Sequence, residues 1–128
     1  MKQEMEAAFA EMLDISTDID KAVVFGPSGV VATNVSEPAL SATVAQAEEL
    51  VRLGQQSADK AGPQPLTQMV VETSAGLVFL VRELAADGLT AAATGKKGSR
   101  VGLALYDLKT CLRDAREAAG KAASGGEA

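Results

Sequence analysis

Residues 67–84 read TQMVVETSAGLVFLVREL, and the architecture is decided by what this stretch can form. Its first part, Gln68-Met69-Val70-Val71-Glu72-Thr73, mixes polar and apolar positions with the period of a strand that has one exposed face. Its second part contains Leu77-Val78-Phe79-Leu80-Val81, apolar at every position, as in a strand covered on both faces. Ser74-Ala75 between them is short enough for a tight hairpin. The spacing therefore predicts antiparallel strands over Thr67 to Thr73 and Gly76 to Leu84. The second is central, and the first lies at an edge or meets another subunit.

The neighbouring segments extend this sheet in both directions. Downstream, Asp87-Gly88 leads into Leu89 to Thr94, a fifth strand whose small alanines would let a helix approach closely. Val101, Ala104, Leu105, Leu108, Cys111, Leu112 and Ala115 then recur at helical spacing after Ser99, a candidate cap. From Ala119 the chain reads AGKAASGGEA, so residues 119–128 are expected to form a flexible tail and residues 1–118 a single domain. Upstream, Ala22-Val23-Val24-Phe25 and Val30-Val31-Ala32 flank Gly26-Pro27-Ser28-Gly29, the composition of a hairpin turn. Met5, Ala8, Phe9, Met12 and Leu13 mark a one-sided first helix.

Ser36-Glu37-Pro38 opens the second helix with a cap, an acid and an early proline, and Gly62-Pro63 closes it. This helix carries two apolar surfaces. Leu40, Val44, Ala47, Val51 and Ala58 form the expected core stripe, while Leu50 and Leu53 lie to one side beside Ala39, Ala42 and Gln46. A monomer's surface helix needs one stripe, so the second is read as a partner surface. The whole order, α-β-β-α-β-β-β-α, predicts an α+β fold, a five-stranded antiparallel sheet with helices on both faces.

Composition narrows the function. The chain has 128 residues, 24 alanines, one cysteine and no histidine. No imidazole is available as base or metal ligand, and one thiol makes neither an intramolecular disulfide nor a thiolate zinc cage. No catalytic residue, cofactor or metal is expected. A net charge of -5 disfavours nucleic acid and anionic lipid, and the absence of a long apolar run disfavours membrane insertion. The acidic, helically patterned start MKQEMEAAFAEMLD is unlike a signal peptide, which favours a cytoplasmic location.

The motifs that could suggest chemistry are incomplete. Thr94 to Arg100, TGKKGSR, carries the densest positive charge between a strand and a helix. A P-loop needs Gly where Thr90 stands and Ser or Thr where Lys97 stands, so a solvated loop outweighs a phosphate site. Lys96, Lys97 and Arg100 are instead candidates for contacting an acidic protein partner. Ser28 lacks the glycine that a nucleophile elbow requires where Val30 stands, and the base as well. Asp18 and Asp20 read as solvated acids before a strand, and Cys111 as a small core residue.

The passages DIDKAVVFGPSGVVATN (residues 18–34), TQMVVETSAGLVFLVREL and GSRVGLALYDLKTCLRD (residues 98–114) resemble the roadblock family, which includes dynein light chains and bacterial small-GTPase regulators. The resemblance spans residues 3–117. It implies a homodimer whose second helices pack together and whose third strands pair across the two-fold axis, which would involve Ala39, Ala42, Gln46, Leu50, Leu53, Met69, Val71 and Thr73. It also implies binding to a small Ras-like GTPase, as a regulator of its nucleotide cycle or as a scaffold, with any catalytic groups in the GTPase. A different class, a small-molecule sensor with a profilin-like or PAS-like sheet, is disfavoured because the alanine-rich fifth strand supplies no evident ligand-orienting set.

Overall fold

The strand Gly76–Arg82 is the pivot of the sheet, with Phe79, Leu80 and Val81 all sealed from solvent. The computed structural model describes residues 1–62 and 64–127, and side chains as far as residue 123. The element order is α1 (Lys2–Ile15), β1 (Ala22–Gly26), β2 (Gly29–Thr33), α2 (Glu37–Ala61), β3 (Gln68–Glu72), β4 (Gly76–Arg82), β5 (Thr90–Lys96) and α3 (Val101–Glu127). The strands form one antiparallel sheet in the order β2-β1-β5-β4-β3, so the predicted α+β plan is the observed one.

Side-chain alternation divides the interior into two layers. On one face, Val24, Phe79, Val81, Ala91 and Ala93 pack beneath Met5, Phe9 and Met12 of α1 and Leu105, Leu108 and Leu112 of α3. On the other, Val23, Phe25, Leu80 and Ala92 meet α2 through Ala47, with Leu40, Val44, Leu50 and Val51 partly buried around them. The second layer is thinner. Of the 25 residues in α2, Ala47 and Gly54 are buried. At Gly54 a β-carbon would lie 2.9 Å from a terminal methyl of Leu66, so that side chain would have to shift where the chain folds back toward the sheet.

The hairpin turn follows the sequence reading: Gly29 has φ +112, a backbone state that L side chains avoid. A register shift between Val24 and Phe25 places a bulge in the β1–β2 ladder. The capping assignments differ. Ser36 occupies the start of α2 with extended backbone, yet its hydroxyl makes no capping hydrogen bond. Ser99 donates its hydroxyl to the carbonyls of Lys96 (2.6 Å) and Asp18 (3.3 Å), and it is Asp18 Oδ1 that accepts the Arg100 N–H. The helical backbone of α3 also continues to Glu127, past Ala119 where composition suggested a tail, although its core contacts end at Ala115. Ala128 lies outside the described residues.

Two polar clusters fasten the periphery. The Arg116 guanidinium donates to both Glu83 carboxylate oxygens, at 2.8 to 3.2 Å, and to Asp87 Oδ2 at 3.4 Å. Glu83 in turn accepts the Leu89 N–H at 2.9 Å, which binds the β4–β5 connection to α3. Glu83, as the nearest acceptor, raises the arginine's already high pKa. On the other side, Gln55 of α2 accepts the Leu66 N–H at 2.9 Å and donates to the Gln64 carbonyl at 3.0 Å.

Candidate functional site

The surface of interest begins at the outer edge of β3. The Thr73 N–H donates to the Gly76 carbonyl (2.8 Å), and the Arg82 N–H donates to the Thr67 carbonyl (2.9 Å). These bonds set the alternation: Thr67, Met69, Val71 and Thr73 turn their backbone groups toward β4. Gln68, Val70 and Glu72 therefore direct theirs away from the sheet. Met69 packs into the α2 layer and Val71 is half-buried, whereas Val70, on the opposite face, is 37% exposed. Thr73 is exposed, but its hydroxyl is engaged in the turn, where it accepts the Ala75 and Gly76 N–H groups at 3.2 Å. The edge is open, and the groups it offers come from the residues between those singled out in the sequence.

Helix α2 lies on the sheet face that carries Met69 and comes near β3 at Gly54. Ala39, Ala42 and Gln46 are exposed, and Leu53 is 47% exposed. Leu50 differs from the sequence reading, because it is half-buried and packs against the layer formed by Val23, Phe25 and Leu80. It sits one helical turn before Gly54 and three residues after Ala47, so it borders the core stripe as well as the outer one.

Between α2 and the sheet lies a groove of about 540 Å³. Ala39, Thr43 and Leu50 form its helical wall, and Val78, Ala92 and Thr94 its floor. Lys21, Asn34 and Ser36 close one end. The alanines of β5 thus leave a space instead of drawing α2 onto the sheet. Only the strand register, which puts Ala92 and Thr94 on one face beside Val78, would have signalled this from sequence.

The basic segment lies at the end of β5. Lys96 and Lys97 are exposed, and Gly98 takes φ +88 to turn the chain into α3. Arg100 is already committed. Its Nε and Nη2 both lie 3.1 Å from Asp18 Oδ2, and Nη2 also donates to Thr17 Oγ1 at 3.0 Å. Asp18, read as solvated, is 9% exposed. Its carboxylate occupies the start of α3, where a bound phosphate would have to sit. That arrangement leaves Lys96 and Lys97 as the available cations of the loop.

The remaining sequence candidates take structural places. Ser28 is exposed in the β1–β2 turn. Cys111 is buried beside Met5, and burial, reinforced by the negative charge of Asp114, pushes its thiol up to about 11. Among the described residues there is no cluster of three potential metal ligands, and no helix is long and apolar enough to cross a membrane.

No protein-family model and no curated protein matches the sequence. The structure, however, is similar to a Roadblock/LC7 domain from Streptomyces avermitilis, with TM-score 0.75 and 16% identity over 88% of this chain and 94% of that one. It is also similar to the gliding protein MglB from Thermus thermophilus, with TM-score 0.71 and 14% identity over 90% of each chain. An MglB solved in a tetrameric arrangement gives TM-score 0.72 and 14% identity over 91% of this chain and 90% of that one. Helix order, strand order and these likenesses agree: the chain has the roadblock/LC7 fold.

Proposed function

We propose that the protein is a non-enzymatic, cytoplasmic homodimer that binds a small Ras-like GTPase and modulates its nucleotide cycle or scaffolds its complex. The observation that carries this reading is the open β3 edge beside the exposed apolar side of α2. Unpaired strand edges are costly to leave exposed, and a second copy satisfies them by symmetry. With the two-fold axis at Val70, each Val70 faces the other and Glu72 faces the partner subunit's Gln68. Outward backbone groups then exchange hydrogen bonds and no like charges are opposed. The MglB seen in a tetrameric arrangement supports self-association as a property this fold can express.

Lys96 and Lys97 provide the charge to meet an acidic partner surface, whereas Arg100 serves the fold. A regulator of this kind would act by ordering the GTPase's own switch residues. Sedimentation of the purified chain is the first test. A dimer at micromolar concentration is expected, and Leu53→Glu or Val70→Pro should convert it to monomer. Leu53 is the better probe than Leu50, since a charge at the half-buried Leu50 would also disturb the core. A monomeric wild type would remove the dimer reading. Capture of the host's small GTPases, loaded with GDP or a non-hydrolysable GTP analogue, tests the rest, and failure to bind any of them would overturn it.

A further inference from the structure

The face of the sheet opposite α2 carries a trough on the outside of α1 and α3. It opens between Glu4 and Lys121, where it holds about 520 Å³, and continues past Ala8, Glu11 and Asp114 to a narrower end of about 40 Å³ between Ile15 and Asp107. The two helices therefore run antiparallel along it. Their spacing is alike on both sides. Glu4, Ala8, Glu11 and Ile15 follow one another at intervals of four, three and four residues, and Asp107, Thr110, Asp114, Glu117 and Lys121 at three, four, three and four. This is the spacing by which a helix offers a seam to another helix. At 1.5 Å per residue the two lines run about 17 and about 21 Å, room for a third helix of about 12 to 14 residues.

The chemistry along the trough is graded. Five carboxylates line it, Glu4, Glu11, Asp107, Asp114 and Glu117, against one ammonium, Lys121. Asp14, exposed and seven residues after Ala7, adds a sixth acid at the rim. The amino terminus, 3.0 Å from Glu4, and Arg113, 3.5 Å from Asp114, add two cations. Acids thus exceed bases by six to three. At the narrow end the surface turns apolar: Ile15 is 67% exposed, and Leu103, one turn before Asp107, is 40% exposed.

We propose that the trough docks a basic amphipathic helix of another protein, its lysines or arginines against the acidic rims and an apolar side chain at one end against Ile15 and Leu103. Charge complementarity selects the partner, and the matched seams of α1 and α3 select its helical form. The pairing through α2 and β3 leaves this surface open, so the inference goes beyond self-association and GTPase binding.

The probe is a synthetic peptide of about 14 residues, blocked at both ends, with leucines on a helical seam and lysines flanking it. Its controls are a scrambled peptide of the same composition and one with glutamate for every lysine. Titrated into the full chain and followed by fluorescence anisotropy, the lysine peptide should bind once per chain at micromolar concentration and gain helical circular dichroism. Both controls should bind at least about ten-fold more weakly. Glu11→Lys with Asp114→Lys should weaken the lysine peptide at least about ten-fold, and Ile15→Ser about three-fold or more. The same change of charge on α2, Glu48→Lys with Asp59→Lys, should leave it within about two-fold. All five positions are exposed, so the variants keep the fold. Absence of binding, equal binding of the scrambled peptide, or equal weakening by the α2 pair overturns the proposal. The Leu53→Glu chain should bind the lysine peptide as the wild type does, so this reading and the dimer reading stand or fall separately.

Discussion

Replacing Asp18 with alanine tests the assignment of Arg100 to the fold and not to a partner. The carboxylate makes two kinds of contact: Oδ1 accepts the Arg100 N–H at 3.2 Å, and Oδ2 lies 3.1 Å from the guanidinium. Loss of a capping acceptor at a helix start costs about 1 kcal/mol. The ion pair is uneven, because the Asp18 side chain is 9% exposed and that of Arg100 64%. Solvent on the arginine side reduces the contribution from the several kcal/mol of a buried pair to about 1 kcal/mol. Asp18→Ala should therefore destabilise by about 2 kcal/mol, a fall in Tm of about 6 to 10 °C for a domain of this size. Thermal and urea unfolding of Asp18→Ala, Arg100→Ala and the double variant form a cycle whose expected coupling is about 1 kcal/mol. Lys96→Ala and Lys97→Ala serve as controls with unchanged Tm. An Asp18→Ala protein that melts within about 2 °C of wild type, or an additive cycle, would refute the reasoning and return Arg100 to the set of free cations.

Gly88→Ala should cost about 1 to 3 kcal/mol in urea unfolding, because a β-carbon would lie 2.7 Å from the Ala85 carbonyl oxygen and close to that of Glu83; an unchanged midpoint would show that the β4–β5 connection gives way easily. Cys111 should resist alkylation in the folded chain at pH 8, its thiol being pushed up to about 11. Above the ordinary thiol pKa the unfolded chain loses this proton while the folded chain keeps it. Stability should thus fall by about 2 to 3 kcal/mol as pH rises from about 9 to about 11, and Cys111→Ala should flatten that slope. Removing the residues after Ala118 should leave Tm within about 3 °C, since the core contacts of α3 end at Ala115; a larger drop would show that the extension supports the fold.

The strands were readable where local pattern and environment coincide. Leu77 to Val81 could only be a doubly covered strand, and β4 is one. The hairpin was equally legible, because Gly29 stands where the backbone requires positive φ. Long-range polar partnerships were not. Asp18 and Arg100 are 82 residues apart, and nothing near either residue indicates that one carboxylate both caps α3 and neutralises a guanidinium. The groove was misjudged for a related reason. Small residues on a strand permit close approach, but whether a helix descends depends on the rest of its contacts, and of the α2 residues Ala47 and Gly54 are the buried ones. At the β3 edge the sequence reading named Met69, Val71 and Thr73, whereas the outward backbone groups belong to Gln68, Val70 and Glu72, since backbone direction follows from the ladder bonds and not from side-chain hydropathy.

The bulge between Val24 and Phe25 acquires significance from its distance to β3, since β2 and β3 are the two ends of the same sheet. At the β2 end the bulge breaks the even spacing of outward donors and acceptors, and α1 packs along the strand with Phe9 near Val31. At the β3 end the spacing is regular. In the language of polymer chemistry the proposed pairing makes the chain a monofunctional monomer, with one reactive end at β3 and a terminated one at β2. Under that proposal a unit couples once, so the sheet would stop at ten strands and concentration would not turn pairing into fibre growth.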